Sequence, residues 1–171
     1  MAVDATAPRR KGFLGDLPAR AEHTAVFAGD FQDSQEKMYV FGGKTLLGEA
    51  NDFYVFDTKM LTWNVIDNAG SSVPGRRAGH SMVAATVPIG VFSSSQMQSN
   101  ELFLFGGRGY TRSVGGLRKF FGYSDLWRYS LESNMWTICT QGGDNGPVGR
   151  QVTTFLIASF HQCPSVLESS I

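Results

Sequence analysis

Short apolar runs separated by glycine, proline and polar clusters dominate the first 140 residues, and they come in an order that repeats. Arg20-Ala-Glu-His23-Thr-Ala-Val26 is echoed by Arg77-Ala-Gly-His80-Ser-Met-Val83, an offset of 57. Met38-Tyr-Val-Phe-Gly-Gly43 is echoed by Leu102-Phe-Leu-Phe-Gly-Gly107, an offset of 64. Asp52-Phe-Tyr-Val-Phe56 and Trp63 are echoed by Asp125-Leu-Trp-Arg-Tyr129 and Trp136, an offset of 73. The order of features is constant while the offset grows twice, so the second unit carries two insertions. Internal repetition of this kind is the signature of an array of similar supersecondary units.

Each unit predicts four short strands. The first follows the histidine, the second ends at the Gly-Gly pair, the third is the Asp-apolar-aromatic run, and the fourth holds the tryptophan. The runs are nearly continuous rather than alternating, which predicts sheets covered on both faces. Asp57-Thr-Lys-Met60 and Ser130-Leu-Glu-Ser-Asn134 suit tight hairpins between the third and fourth strands. No long stretch carries helical periodicity with caps.

These residues resemble the kelch repeat. The pairs Gly42-Gly43 and Gly106-Gly107 match its motif, as does an aromatic separated from a tryptophan by six residues: Tyr129 and Trp136, and Phe56 and Trp63 with Phe in place of the usual Tyr. The resemblance covers residues 18 to 140 and implies an all-β fold, a partial kelch-type β-propeller. It has two four-stranded antiparallel blades plus the start of a third. The expected organisation is a flexible segment over 1–17, blade 1 over 18–70 and blade 2 over 71–146, with insertions at 84–100 and 108–123. An incomplete third repeat and irregular tail fill 147–171: Pro147-Val-Gly-Arg150 echoes Pro74-Gly-Arg-Arg77, but Thr153 stands at the histidine position and the pattern stops. Propellers close with about 4 to 8 blades. The expectation is therefore a fragment or truncated product of a longer kelch protein, or a chain that completes itself by self-association through uncapped blade edges.

Composition narrows the function classes. In 171 residues, Lys plus Arg and Asp plus Glu are both 15, so the net charge is zero. That balance argues against general nucleic-acid binding and anionic-membrane binding. Gly at 20 residues and aromatics at 12% favour strands and tight turns. The start lacks an apolar signal core, and no run approaches the roughly 18 apolar residues of a membrane span, so a cytoplasmic or nuclear location is expected. Cys139 and Cys163 are too few for a disulfide framework and are read as free thiols, although a single bridge stays open.

The candidate positions divide in two. His23, Gly42, Gly43, Phe56, Trp63, His80, Gly106, Gly107, Tyr129 and Trp136 recur in register and read as structural repeat positions. The tryptophans and Tyr129 are expected to pack blade on blade, and the histidines to hydrogen-bond within their own blades. A metal needs three or four convergent ligands, and the third histidine, His161, lies in the unrepetitive tail. No metal or other cofactor is expected. The insertion at 108–123 differs: Arg108, Arg112, Arg118 and Lys119 are interleaved with Tyr110, Phe120, Phe121 and Tyr123, without an acidic residue. Arg and aromatics are frequent interface anchors, and loops on rigid scaffolds often carry binding. The bland alternative is a solvated loop whose Phe-Phe pair tucks onto its own blade. The resemblance implies a non-catalytic protein–protein interaction module, a scaffold or adaptor meeting another protein through blade loops. An acidic partner surface is expected at Arg112, Arg118 and Lys119, with Phe120 or Phe121 as anchor. The enzyme alternatives are a galactose-oxidase-like copper site and the iron site of nitrile-forming specifier proteins. Neither metal cluster is recognisable in these residues.

Overall fold

The computed structural model describes residues 17–29, 36–67, 72–88, 98–112 and 118–140, with the backbone alone at Pro88, Arg112 and Arg118. The third repeat, the tail with Cys163 and His161, and nearly all of the N-terminal segment lie outside the described residues. Every regular element among those described is a strand. Blade 1 is an antiparallel sheet of β1 (Thr24–Gly29), β2 (Glu36–Thr45), β3 (Gly48–Asp57) and β4 (Thr62–Val65), in chain order. Blade 2 contains β5 (Ser81–Pro88), β6 (Gln98–Phe105), β9 (Leu126–Ser130) and β10 (Met135–Thr140). It pairs in the same sense, β5-β6-β9-β10. Between β6 and β9 stands a two-stranded hairpin of β7 (Arg108–Arg112) and β8 (Arg118–Gly122).

The repeat motifs have direct geometric reasons. The spacing from aromatic to tryptophan puts Phe56 opposite Trp63 and Tyr129 opposite Trp136 across the β3–β4 and β9–β10 hairpins. Those hairpins turn tightly. The Asp57 carboxylate accepts the Lys59 and Met60 amides, and Asn134 sits at φ 55 with its amide on the Ser130 carbonyl. The second glycine of each pair makes room for the segment entering the first strand. A Cβ at Gly43 (φ 93) would lie 2.7 Å from His23 Cβ, and one at Gly107 (φ 88) 2.8 Å from His80 Cβ. No side chain larger than hydrogen fits there.

The core lies between the blades. Val26, Ala28, Tyr39, Phe41 and Phe53 of blade 1 meet Met82, Leu102, Leu104, Trp127, Tyr129 and Trp136 of blade 2. Trp136 lies 5.4 Å from the Phe41 ring and 5.3 Å from Phe53, and Tyr129 lies 4.8 Å from Phe53. Edge-on and tilted contacts of this kind add to the burial of the rings themselves. Trp63 behaves differently from the blade-on-blade expectation. Its ring packs at 4.9 Å on Phe56 of its own blade. Alternation along β3 puts Phe56 on the opposite face from Phe53, so the Phe56–Trp63 pair faces away from blade 2.

Two further expectations change. The insertion at 84–100 is strand at both ends, because the β5–β6 ladder runs in register from Ser81↔Phe105 to Pro88↔Gln98. Only 89–97 of it lies outside the described residues. Cys139, read from the sequence as a free thiol, is disulfide-bonded, its partner lying outside the described residues. Distance along the chain does not measure distance in space, so scattered cysteines can still meet.

Candidate functional site

Each blade is locked by one buried clamp. Arg77 is fully buried, and its guanidinium takes both oxygens of Asp125 at 2.7 Å and the Gly106 carbonyl at 3.0 Å. Arg20 repeats this with Asp52 at 2.6 and 2.9 Å and the Gly42 carbonyl at 2.9 Å. A bidentate arginine–carboxylate pair fixes orientation as well as energy. The clamp thus ties the segment before the first strand of each blade to the chain at the paired glycines and at the aspartate of the third run. The repeated Arg and Asp are visible in the sequence, but their pairing is not.

Blade 2 is hung on blade 1 at several points. The Gly43 amide donates to the Arg77 carbonyl at 2.9 Å, the Arg77 amide to Ala50 at 3.0 Å and the Gly79 amide to Glu22 at 2.9 Å. The imidazole of His80 meets the Thr24 hydroxyl through Nε2 at 2.8 Å. This bond crosses between blades, whereas the repeat pattern predicts one within the blade. Burial, reinforced by the Arg77 charge, lowers the His80 pKa to about 3. His23, the equivalent residue of blade 1, is exposed; partial burial and the Arg20 charge lower its pKa as well.

The basic, aromatic stretch 108–123 stands on this frame as the β7–β8 hairpin rather than a loop. Its register pairs Arg108 with Gly122, Gly109 with Phe121, Tyr110 with Phe120, Thr111 with Lys119 and Arg112 with Arg118. Alternation therefore gives the hairpin two faces of different character. On one, Tyr110 and Phe120 pack at 6.4 Å between ring centres, and the Tyr110 hydroxyl lies over Gly48 of blade 1. On the other, Phe121 crosses Gly109 and meets Tyr123 at 5.0 Å. Tyr123 in turn stacks 3.8 Å from the Arg77 guanidinium, and its hydroxyl donates to the Arg76 carbonyl at 3.3 Å. Burial raises the Tyr123 phenol pKa above its ordinary value.

The eight candidate residues are therefore not equivalent. Arg108 is ion-paired with Glu22 at 2.6 Å, and Tyr123 is part of the Arg77 clamp; both serve the frame. Phe121 is 39% exposed and leans on its own blade, whereas Phe120 is 55% exposed beside Tyr110. Lys119 is exposed. Arg112 and Arg118 pair at the far end of the hairpin, and their side chains lie outside the described residues.

Of the other buried acids, Glu101 is set against an arginine across the sheet, while Glu49 is buried with its Oε2 lacking a hydrogen-bond partner among the described residues. Glu101 lies 3.3 Å from Arg128, and burial raises its pKa. Among the described residues no group of three or more His, Cys, Asp and Glu could hold a metal ion. No helix among them is long and apolar enough to cross a membrane.

Sequence left the most exposed apolar pair among the described residues unread. The β2–β3 hairpin of blade 1 turns at Leu46-Leu47, and both leucines are fully exposed. The Thr45-Leu-Leu-Gly48 string gave no sign of it, because an apolar pair between strands looks like part of a core.

Comparison with known proteins agrees with this architecture. Residues 6–160 match the family model of the KLHDC2/KLHL20/DRC7 Kelch-repeats domain. Similar curated proteins include an N-(sulfonatooxy)prop-2-enimidothioate sulfolyase of Thlaspi arvense, 28% identical over 144 residues, covering 82% of this chain and 33% of that protein. Kelch domain-containing protein 1 of Mus musculus is 26% identical over 129 residues, covering 75% of this chain and 25% of that protein. The leucine-zipper-like transcriptional regulator 1 homolog of Drosophila melanogaster is 29% identical over 131 residues, covering 73% and 11%. The chain spans a third or less of the length of these relatives. With its two four-stranded antiparallel blades, its paired glycines and this family match, the chain belongs to the kelch-repeat family.

Proposed function

We propose that this chain is a non-catalytic protein-interaction module that meets another protein through the β7–β8 hairpin of blade 2. The observation that carries the reading is the hairpin itself. Lys119 and Phe120 are exposed at a site whose base is pinned by the Arg108–Glu22 pair and by Tyr123 on Arg77. A preorganised aromatic on a pinned hairpin loses little freedom on binding, which favours affinity. Membership in a family of repeat scaffolds supports the same reading, while fold alone does not fix a function.

The test is affinity capture with wild type and Phe120→Ala side by side, followed by dissociation constants on the purified partner. Truncation of a true anchor weakens binding by about thirtyfold. Alanine at Lys119, Arg112 and Arg118 together slows association and flattens the salt dependence. Equal binding by all variants removes the hairpin from the interface. The Thlaspi arvense relative motivates one enzymatic reading, because it is named as a sulfolyase. Turnover of N-(sulfonatooxy)prop-2-enimidothioate by the purified chain would favour that reading over the interaction module.

A further inference from the structure

We propose that two copies of this chain pair through the outer face of blade 1, the face turned away from blade 2. This surface differs from the β7–β8 hairpin, and the proposal does not rest on the hairpin.

The face is the repeat equivalent of one already in use. Across blade 2 the ladder sets Ala84, Leu102, Tyr129 and Trp136 side by side. The last three of these are buried in the core against blade 1. Across blade 1 the equivalent positions hold Phe27, Met38, Phe56 and Trp63. Residues directly opposite one another in a ladder share a face. Here Phe27 is more than half exposed, as is Val65 on the outer strand, and Met38, Phe56 and Trp63 are half-buried. The neighbouring row is closed: Val40 and Tyr54 are buried, with the Arg20 guanidinium 5.1 Å from the centre of the Tyr54 ring. The open surface is thus the Phe27–Trp63 row, the strand β4 and the turn that leads into it.

Blade 1 departs from blade 2 at positions that border this row. Phe27 stands where blade 2 has Ala84. Met60 and Leu61, each more than half exposed, stand where the equivalent turn has Ser133 and Asn134. Leu61 takes φ 54, and Asn134 takes φ 55 at the same place. Asparagine tolerates this left-handed conformation, whereas a leucine there is strained. Each exchange makes the face larger and more apolar than the packing of blade 2 on blade 1 requires. A contiguous exposed apolar surface, with a strained residue held at its margin, marks an interaction site.

The occupant is a second copy. The equivalent face of blade 2 packs against an apolar sheet, and sheets pack face to face when both inner faces are apolar. The face of blade 2 turned away from blade 1 cannot receive another copy, because Phe103 and Phe105 are already buried there and Glu101 is buried against Arg128. An open row of copies, blade 1 on blade 2, is thereby excluded, and the face left for blade 1 is its own. Phe27, Met38, Phe56, Leu61, Trp63 and Val65 carry no charge, so two copies of the face meet without repulsion. A two-fold contact demands that self-matching. Glu36, exposed at the start of β2 on the same side, sets the rim, where water and salt screen the two like charges.

Sedimentation velocity of the full chain over a concentration series reads the pairing. The expected result is a reversible monomer–dimer equilibrium. The double variant Phe27→Ala, Leu61→Asn gives blade 1 the residues of blade 2 and should weaken the dimer about tenfold or more. Leu61→Asn alone relieves the strain, so it should loosen the dimer while keeping or raising the urea midpoint measured where the chain is monomeric. Phe120→Ala should leave the dimer unchanged, which separates this face from the hairpin. A chain that is monomeric at every concentration overturns the proposal; its own segments or another protein then cover the face. So does a dimer that both variants of this face leave intact, or one that is lost on Phe120→Ala. A ladder of trimers and larger species would mean head-to-tail stacking and overturns the two-fold contact. A lowered urea midpoint for Leu61→Asn would assign that leucine to the fold and overturn its role in pairing.

Discussion

Blade 1 and blade 2 hold the same arginine–aspartate–glycine clamp, yet they differ in what their second hairpin carries and in how deeply they are buried. In blade 1 the strands beyond the paired glycines run only to Thr45↔Gly48 before the chain turns. In blade 2 the corresponding strands run on through β7 and β8, from Arg108↔Gly122 to Arg112↔Arg118. The clamp keeps its geometry because a buried guanidinium tolerates few arrangements of partners. The hairpin is free to lengthen because the core between the blades takes none of the described residues of β7 and β8. Burial differs too: the tryptophan of blade 2 is enclosed by blade 1, while that of blade 1 is half-buried on its own sheet.

The largest effect should come from the tryptophans. Trp136 is 3% exposed among Phe41, Phe53 and Tyr129, so Trp136→Ala should cost about 3–5 kcal/mol. Trp63→Ala should cost about half that or less, because water already reaches its site. Urea denaturation of both variants checks the ratio; equal losses would break the contrast between the blades.

Next come the clamps. Arg77→Ala leaves Asp125, only 14% exposed, without its cation and with the Trp127 indole N–H as its remaining donor, and should cost about 3 kcal/mol. Arg20→Ala leaves Asp52 at 32% exposure, where water replaces part of the lost contact, and should cost about 2 kcal/mol. An Arg20→Ala loss as large as that of Arg77→Ala would mean that the exposure of the carboxylate does not set the cost.

A third difference lies in pH dependence, and near neutral pH it does not show. His80 titrates near pH 3 when folded, against 6.5 ordinarily, so the unfolded chain takes up its proton first as the pH falls. The stability is fully present above about pH 6.5 and is lost between there and about pH 3, by at most about 1.4 kcal/mol per pH unit. The variant His80→Gln should flatten this part of the stability profile. His23→Gln should change it little, since that ring is exposed and makes no bond like that of His80 to Thr24. Equal flattening by the two variants would contradict the assignment.

The order of strands was legible because the motif order survives insertion: histidine, paired glycines, Asp-aromatic run, tryptophan. The clamps were not, because 32 residues separate Arg20 from Asp52 and 48 separate Arg77 from Asp125, so no fixed spacing betrays the pair. The basic stretch 108–123 stood out by composition but was read as a loop. Its strands are short, and their register follows from cross-strand pairing that spacing does not encode. Phe120 and Phe121 look alike in sequence, and only the alternation of β8 assigns one to the hairpin's outer ridge and the other to its own blade. Leu46 and Leu47 escaped notice for the opposite reason: their apolar character suggested burial, while the turn exposes them.

The most direct test of the account exchanges the hairpins. Blade 1 demonstrates that the shared frame closes with a short turn, so residues 109–121 can be replaced by a short strand pair around an Asn-Gly turn, keeping Arg108, Tyr123 and the Arg77 clamp. The account predicts a folded chain whose stability in urea changes by about 1 kcal/mol or less, as for surface changes, and which no longer captures the partner that the wild type captures. A shortened chain that still captures that partner, or one that no longer folds, would contradict the assignment of the frame to stability and the hairpin to recognition.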